Sequence, residues 1–392
     1  MIDREDFEFL FAFPTRVLYR VGCIAEAPLE CDRLGVSRML LVSDPILARQ
    51  TDLVDRVRKA LGSRVVGEFL ECPPDSSVEA VEAGAVRAGD TGAEGVVSVG
   101  GGSVIDTAKG ICLLMTEGGR LKDHEGFQNL SRKAAPHVVI PTTAGTGSEV
   151  TYVAVIKDVA EHRKMLFGDH RLLPDSAILD PAMTTGLPAG LTAATGMDAL
   201  SHALEALHST QAQPLADGLA LFAIREIRDA LPRCVEAPGD LVARGRQIVA
   251  STAAGAAFSN AQVGLVHAMS HTVGARFQVH HGLANSIAMP AVVRFNAEAC
   301  PEVYRRVLWA LGLPTDGDPP NVAERLARYL EDLARRLGLP RSFREVGVPE
   351  DALADLANAT LFDGSVLYNA RTVFEGEEVL PVWQEAWRGP RD

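Results

Sequence analysis

No long hydrophobic run occurs in this sequence of 392 residues. The apolar stretches fall far short of the roughly 20 residues that a membrane-spanning helix needs, so we predict no membrane partner. Cysteines are few: there are six, none in CxxC spacing, which is typical of free thiols in a reducing compartment. The N-terminus, MIDREDFEFLF, lacks the basic start and apolar run of a signal peptide. We therefore expect a cytoplasmic protein.

Basic residues are the minority among the charged ones. Lys and Arg number 38 against 51 Asp and Glu, which gives a formal net charge of −13. Binding to nucleic acid needs a clustered basic surface, so we predict no nucleic-acid partner. With 47% hydrophobic and 23% charged residues, the chain can bury a sizeable core. Its length suits one large domain or two ordinary ones.

The first half of the sequence alternates short apolar runs with stretches of helical periodicity. Such runs are typical of buried parallel strands with helical crossovers, and the crossover candidates are Val54 to Leu61 and Val78 to Ala88. The predicted strands lie within residues 38–44, 95–103, 137–143 and 177–181. This pattern predicts a doubly wound α/β domain over residues 1–187.

Beyond Leu187 the strand pattern fades and Ala/Leu-rich stretches with helical spacing replace it. The predicted helices cover Leu191 to His208, Pro214 to Ala230, Leu241 to Ala257 and Val322 to Leu337. Residues 188–392 are therefore predicted to form an all-helical domain. The cleft between the two halves is where we expect the chemistry.

A glycine-rich segment, GGGSVIDTAK, starts at Gly100 and directly follows the apolar run Val96–Val99 of a predicted strand. Glycines let the backbone approach an anion closely, and a helix N-terminus offers free N–H groups and a positive dipole end. A pyrophosphate would fit there, and a tight turn without a ligand is the alternative. The segment matches neither GxGxxG nor GxxxxGK[ST].

A hydroxyl-rich loop, PTTAGTGSEVT, follows the next predicted strand and starts at Pro141. Its five hydroxyls in eleven residues can bind a phosphate or a sugar as donors and acceptors. The alternative is a capped helix start, which needs only one hydroxyl. We therefore favour ligand binding.

Two pairs of polar residues have the spacing of one helical turn. Asp198 and His202 are four apart, as are His267 and His271, and His280-His281 follow shortly. On helices, residues four apart share a face. One carboxylate and three imidazoles can bind a divalent transition metal and leave a coordination position open. Satisfied core or surface histidines are the alternative.

Together these segments resemble the iron-containing (group III) alcohol dehydrogenase family, from about residue 14 to residue 388. The matching segments are GGGSVIDTAK, PTTAGTGSEVT, AATGMDALSHALEA and GLVHAMSH followed by HHGLANSIAMP, in the family's order and spacing. The resemblance implies an NAD-binding α/β domain followed by a helical metal-binding domain. It also implies a dimer or a higher homo-oligomer.

The resemblance also implies a role for individual residues. His271 falls where the family has an active-site histidine near the nicotinamide, and Asp44 falls where a carboxylate contacts the adenosine ribose. That carboxylate would favour NAD(H) over NADP. The implied metal ligands are Asp198, His202, His267 and His281, and the implied cofactor contacts are Gly101, Gly102, Ser103, Asp106, Thr142, Thr143, Thr146, Thr151 and Lys164.

The implied reaction is reversible hydride transfer between NAD(H) and a small alcohol or aldehyde. The metal, Fe(II) by resemblance or Zn(II) with the same ligands, would polarise the substrate oxygen as a Lewis acid. His271 would relay the proton to solvent, since imidazole titrates near neutral pH.

Three positions depart from the family's pattern and concern the substrate. His280 replaces a frequent Pro, Arg276 replaces an apolar or aromatic residue, and Asp75-Ser76-Ser77 replaces Asn-Pro-Thr. The first two favour an anionic substrate, such as a carboxylate-, phosphonate- or sulfonate-bearing aldehyde. In the alternative, Arg276 points to solvent or pairs with a carboxylate. Val153 is a further candidate for shaping the substrate pocket.

Three other functions remain open. A maleylacetate-reductase-like enzyme would reduce an anionic substrate on a related scaffold, and a dehydroquinate-synthase-like lyase would share the architecture. A nucleotide-binding regulator is the non-enzymatic alternative, and it would have no use for a metal site.

Overall fold

The computed structural model describes residues 8–161 and 163–390, which form two compact units. The α/β unit consists of Phe13–Leu187 and Pro238–Thr252. The helical unit consists of residues 8–12, Pro188–Ala237 and 253–390. Among the helices of the described residues, none is both long and apolar enough to cross a lipid bilayer.

Among the described residues before position 188, the α/β unit has nine strands and five α-helices. The strands are β1 (Arg16–Tyr19), β2 (Met39–Val42), β3 (Val65–Phe69), β4 (Gly95–Gly100), β5 (Gly126–Phe127), β6 (His137–Pro141), β7 (Val153–Asp158), β8 (Arg163–Gly168) and β9 (Ser176–Leu179). The helices are α1 (Ala27–Arg33), α2 (Pro45–Gln50), α3 (Leu53–Leu61), α4 (Val78–Thr91) and α5 (Gly102–Glu117).

Six of these strands form one parallel sheet in the order β1-β9-β6-β4-β2-β3. Its central strands are buried on both faces, because alternate residues enter different core clusters. In β2, Leu40 and Val42 join the cluster that includes Ile111 of α5, whereas Met39 and Leu41 join the one that includes Val57 of α3. The near-continuous apolar runs of the sequence follow from this double burial.

The predicted α/β class is confirmed, and the four predicted strands coincide with β2, β4, β6 and β9. A second sheet of three strands, in the order β5-β8-β7, was not predicted. In β7, the apolar run Val153–Ile156 is as long as that of β2, but half-buried residues alternate with buried ones and the strand ends in Lys157 and Asp158.

After residue 187 the described chain is helical, as predicted. The helices are α6 (Ala189–His208), α7 (Pro214–Glu236), α8 (Leu241–Ala261), α9 (Leu265–Phe277), α10 (His281–Phe295), α11 (Pro301–Ala310), α12 (Pro319–Arg336), α13 (Leu353–Thr360) and α14 (Gly376–Arg388). Arg294 fixes α10 to α12 and α14, because its guanidinium lies 2.5 Å from Glu324, 2.8 Å from Glu331 and 2.9 Å from Glu385.

The two units differ from the two predicted domains by two segments. Residues 8–12 belong to the helical unit, and Pro238–Thr252, which contains the first part of α8, belongs to the α/β unit. There, Thr252 Oγ1 donates a hydrogen bond of 2.6 Å to the Glu149 carboxylate, and Gln247 Nε2 lies 3.4 Å from the Ala144 carbonyl. Helical periodicity predicts a helix but not the unit against which it packs, so the sequence pattern could not reveal this.

Candidate functional site

Three helices of the helical unit bring one carboxylate and three imidazoles together. Asp198 and His202 lie one turn apart on α6, His267 lies in the first turn of α9, and His281 begins α10. One ligand atom from each residue lies within 4.8 Å of the others. Asp198, His202 and His267 are buried, whereas His281 is half-buried. The group of four side chains is therefore accessible from the side of His281.

Glu205 determines which nitrogen of His267 is available. Its carboxylate lies 2.5 Å from His267 Nδ1 and accepts backbone N–H groups of Val266 and His267 at 2.7 and 3.3 Å. Burial alone would raise the pKa of Glu205, but hydrogen bonds to His208 and His267 lower it below its usual range. With Nδ1 facing this carboxylate, His267 presents its Nε2 lone pair to the other ligands.

The amide of Asn285 shows that lone pairs converge at this site. Its Nδ2 donates a 2.7 Å hydrogen bond to Asp198 Oδ1 and lies 3.3 Å from His267 Nε2 and 3.2 Å from His281 Nε2. An amide N–H₂ has two hydrogens, so it can donate to Asp198 Oδ1 and to one of the two ring nitrogens at a time. A donor set of three nitrogens and one carboxylate oxygen that faces a single point fits a divalent transition metal.

His271 lies one turn after His267 on α9 and belongs to the same group of rings. Its ring stacks on that of His281, with centroids 5.3 Å apart and planes 13° apart. Its Nδ1 lies 2.8 Å from Asp363 Oδ2. Burial would raise the pKa of Asp363, but the charge and hydrogen bond of His271 lower it below its usual range. The Asp363 carboxylate therefore holds the orientation of the His271 ring and leaves its Nε2 for proton exchange.

In the α/β unit, the glycine turn and the hydroxyl-rich loop lie against each other. A Cβ on Gly101 would lie 3.1 Å from the Thr143 side chain, and one on Gly102 would lie 2.7 Å from that of Thr146. Thr142 donates its backbone N–H to the Gly100 carbonyl at 3.0 Å. The lack of a Cβ at these two glycines permits this close approach, and two segments far apart in the sequence form one surface at the start of α5.

The N-terminus of α5 has the properties of an anion site. Its N-cap is Gly101, which has no capping side chain, and its first turn contains no acidic residue. The free N–H groups and the positive end of the dipole thus face the glycine turn. Ser103, in the first turn, is half-buried.

Behind this surface lies a buried cluster of charged side chains. Lys109 Nζ donates hydrogen bonds to Thr151 Oγ1 at 3.0 Å and to the Val153 carbonyl at 2.8 Å. Asp106 Oδ2 accepts the Val155 N–H at 3.0 Å. Burial lowers the pKa of Lys109 to about 8, although Asp106 and Glu149 oppose this shift. Burial raises the pKa of Asp106, although the charges of Lys109 and Lys164 oppose it.

Asp44 directly follows β2 and is the N-cap of α2. Its Oδ1 accepts the N–H groups of Ile46 and Leu47, both at 2.9 Å. Among the residues that the structure describes, none donates a hydrogen bond to Oδ2. Asp44 thus caps α2 with one carboxylate oxygen, and the second oxygen remains for a ligand hydroxyl.

The candidate substrate residues lie in two different units. Arg276, in the last turn of α9, and His280, the N-cap of α10, are exposed in the helical unit. Within the described part of the chain, no ion pair of Arg276 is seen, and its exposure is compatible with the alternative of a side chain that points to solvent. Val153, which begins β7 in the α/β unit, is half-buried.

Family models match both parts of the chain. The model described as iron-containing alcohol dehydrogenase matches residues 14–181, and the model of the Fe-containing alcohol dehydrogenase family, C-terminal, matches residues 192–387. The chain belongs to the iron-containing alcohol dehydrogenase family. As a member, it is an oxidoreductase of the alcohol dehydrogenase type, and the family uses NAD(H) and a metal.

Individual members of this iron-containing family are similar over nearly the whole chain. An NAD-dependent methanol dehydrogenase of Bacillus methanolicus is 37% identical, in an alignment that covers 92% of this chain and 95% of the dehydrogenase. A 4-hydroxybutyrate dehydrogenase of Cupriavidus necator is also 37% identical, in an alignment that covers 89% of this chain and 92% of that enzyme. The crystal structure of a 1,3-propanediol oxidoreductase superposes with a TM-score of 0.93 at 33% identity, covering 97% and 100%.

Sequence reasoning missed four residues of these sites. Glu205 and Asn285 follow His202 and His281 at helical spacing, and Lys109 follows Asp106 in the same way, so a signal was available for all three. No local signal could have revealed Asp363, because it lies 92 residues after His271.

Proposed function

We propose that this protein is a metal-dependent alcohol dehydrogenase and aldehyde reductase that transfers a hydride between NAD(H) and a small alcohol or aldehyde. The observation that carries this proposal is the convergence of Asp198, His202, His267 and His281 within 4.8 Å. The carboxylate of Glu205 supports it, since it leaves His267 Nε2 free for a metal. A nucleotide-binding regulator would not need such a set.

The bound metal, Fe(II) by family and Zn(II) as the alternative, would supply Lewis-acid polarisation of the substrate oxygen. The three histidines must be neutral to serve as ligands. His271 exchanges the proton at Nε2, because Nδ1 is engaged by Asp363 at 2.8 Å. Asp363 thus keeps the ring oriented through the reaction.

The cofactor site that we propose lies on the α/β unit, at the carboxyl ends of β2, β4 and β6. The N-terminus of α5, with Gly101, Gly102 and Ser103, would bind the pyrophosphate. The Asp44 carboxylate would accept the ribose hydroxyls and repel a 2′-phosphate, which favours NAD over NADP. The remaining contacts would come from Asp106, Thr142, Thr143, Thr146, Thr151 and Lys164.

For the substrate, we propose an aldehyde that carries an anionic group. The exposed Arg276 without an ion-pair partner among the described residues, and the neighbouring His280, supply cationic and hydrogen-bonding groups. The similarity to a 4-hydroxybutyrate dehydrogenase, whose name specifies a carboxylate substrate, supports this class.

Arg276→Ala tests the anionic class. The variant should raise KM for an anionic aldehyde such as succinic semialdehyde about tenfold and leave KM for butyraldehyde unchanged, because only the former loses a charge partner. The matched control is Arg335→Ala, which removes an arginine from the exposed face of α12. An equal rise for both aldehydes would contradict the proposal.

The function itself is tested by metal analysis of anaerobically purified protein together with NADH oxidation on a panel of neutral and anionic aldehydes. We expect about one iron or zinc per chain, with turnover that chelators abolish. Folded protein that retains no metal and oxidises no NADH would contradict the dehydrogenase proposal. Turnover restricted to maleylacetate or to a dehydroquinate-synthase substrate would instead support one of the two alternative enzymes.

We also propose that the protein is a homodimer or higher oligomer in the cytoplasm. The strand β1 lies at the edge of the parallel sheet, and its side chains Val17 and Tyr19 are exposed. An open edge with apolar side chains is suited to pairing with a second copy. Light scattering with size-exclusion chromatography tests this, and Val17→Pro, which removes an edge N–H, should shift the mass toward the monomer.

A further inference from the structure

The side chain of Asn285 ends at the point where the metal ligands meet, although Asn285 is not one of the four. It lies on α10 one helical turn after His281, so the two residues share a helix face. Its amide nitrogen, Nδ2, lies 2.7 Å from Asp198 Oδ1, 3.3 Å from His267 Nε2 and 3.2 Å from His281 Nε2. The amide therefore contacts three of the four ligand residues directly.

The oxygen end of the Asn285 amide has no hydrogen-bond donor. Its Oδ1 is buried and accepts no hydrogen bond from any residue that the structure describes. Asn285 is 0% exposed, so bulk solvent does not reach this oxygen. A buried carbonyl oxygen without a donor costs free energy, and such an atom in a native protein calls for a ligand or another functional explanation.

A second buried asparagine of the same helix is fully paired. Asn296, which directly follows the last residue of α10, is also 0% exposed. Its Nδ2 donates to Asn369 Oδ1, and its Oδ1 accepts from Asn369 Nδ2, both at 2.9 Å. Both ends of that amide are used within the protein, whereas the Asn285 oxygen is not.

The two ends of the Asn285 amide can exchange places by rotation about the Cβ–Cγ bond, which needs no movement of the helix. The N–H₂ group suits a place that faces lone pairs, because it is a donor. A divalent cation held by the same lone pairs would repel this group and attract the carbonyl oxygen. The electrostatics therefore favour Oδ1 beside a bound ion.

We propose that Asn285 is a fifth ligand residue, which binds the metal through Oδ1 and shifts the preference of the site from Zn(II) toward Fe(II). The inference rests on the proposed function, because it needs the metal of that proposal. Zinc in proteins is usually satisfied by four ligands, whereas Fe(II) accepts five or six. An additional oxygen therefore stabilises iron more than zinc and narrows the advantage that zinc has with four ligands alone.

Equilibrium binding of the two ions tests the proposal, with anaerobic protein in buffers of known free Fe(II) or Zn(II). Asn285→Leu keeps the branched shape but removes both polar ends. It should weaken Fe(II) binding about 10- to 100-fold and Zn(II) binding less than about threefold. Asn285→Asp, which keeps an oxygen at the same place, should bind Fe(II) at least as tightly as the wild type. If Asn285→Leu does not fold, Asn285→Ala replaces it.

Asn296→Ala is the matched control. It removes a buried amide from the end of the same helix, about 16 Å further along the axis. This variant should lower the melting temperature, because Asn369 loses its partner, but it should leave the ratio of the Fe(II) and Zn(II) affinities at the wild-type value.

Cobalt(II) bound in place of the native metal reports the coordination number independently of stability. Tetrahedral Co(II) absorbs visible light several-fold more strongly than five- or six-coordinate Co(II), so the spectrum is diagnostic of the ligand geometry. We expect a weak band for the wild type and for Asn285→Asp, and a several-fold stronger band for Asn285→Leu.

Different results would contradict different parts. Equal weakening of both ions in Asn285→Leu, unchanged Fe(II) affinity, or a cobalt band as weak as that of the wild type would overturn the fifth ligand, while the site of four ligands stands. A wild-type protein that binds neither Fe(II) nor Zn(II) would instead contradict the metal site of the proposed function.

Discussion

At the scale of single residues, Glu205 has the largest predicted effect on the metal. Replacing it by Gln removes the charge that holds His267 Nδ1–H and should lower metal affinity about 10- to 100-fold. Chelator competition followed by elemental analysis measures this. Glu350→Gln, on the exposed surface, is the matched control and should bind metal like the wild type. Unchanged affinity in Glu205→Gln would mean that His267 is not a ligand.

His271 has a different predicted role, in proton exchange and not in metal binding. His271→Ala should lower kcat about 100-fold, because the general acid–base group at Nε2 is lost. The metal content should stay at the wild-type level. If the variant lost its metal instead, His271 would belong to the ligand set and the assignment of the other histidines would need revision.

Residues of the metal site could be predicted from the sequence where they lie one helical turn apart. Asp198 and His202 share a helix face, so their spacing carried the information, and the structure brings His267 and His281 to the same point. Asp363 reaches His271 only through the packing of the C-terminal segment. No spacing rule applies across such a distance, and a single sequence therefore could not identify this partner.

At the scale of elements, the contact between α10 and α6 holds His281 beside Asp198. Gly282, the second residue of α10, makes this contact, because a Cβ there would collide with the Ala194 carbonyl oxygen of α6. That atom belongs to the backbone and cannot turn aside. Helices α6 and α10 can therefore approach this closely only because residue 282 is glycine.

Gly282→Ala should separate the two helices, lower the free energy of unfolding by about 1–3 kcal/mol and weaken metal binding. Chemical denaturation and chelator competition measure the two effects. Gly218→Ala is the matched control, since a Cβ at this exposed position of α7 would meet nothing within 4 Å. The control should be neutral or stabilise by up to about 1 kcal/mol. Equal behaviour of the two variants would contradict the contact.

The elements differed in how well the sequence predicted them. Strands β2, β4, β6 and β9 are buried throughout, so their apolar runs marked them. In contrast, β8 contains Arg163 and Lys164 and has alternating burial. Its pairing with β7 depends on contacts between strands that a search for continuous apolar runs does not detect.

At the scale of the whole molecule, a buried histidine in the central sheet makes stability depend on pH. His137, in β6, is 2% exposed, and its Nε2 lies 2.8 Å from Ser98 Oγ. Burial lowers its pKa well below the ordinary value of 6.5, and the charges of Lys109 and Lys133 act in the same direction. Below pH 6.5, the histidine of the unfolded chain takes up a proton, whereas the buried His137 of the folded protein stays neutral. Acid therefore favours unfolding.

Above about pH 6.5, His137 should not affect the free energy of unfolding. Below that pH, it should lower this free energy by up to about 1.4 kcal/mol for each pH unit. Urea unfolding of chelator-treated protein between pH 5 and 7 measures the slope. In the double variant Ser98→Ala/His137→Leu, the slope should be smaller by that amount. The same slope in both proteins would show that His137 does not control the acid response.

The origin of the four metal ligands on three separate helices has a consequence for how the ion is acquired. Helix α6 lies far from α9 and α10 along the chain, because α7 and α8 stand between them, and an unfolded chain loses conformational entropy when it brings its ligands to theirs. The ligand set therefore assembles only after these helices have packed. The folded protein then binds whichever metal ion competes best for the site at the free concentrations around it. Because zinc binds such ligands more tightly than iron(II) at equal free concentration, the metal supply decides which one the mature enzyme carries.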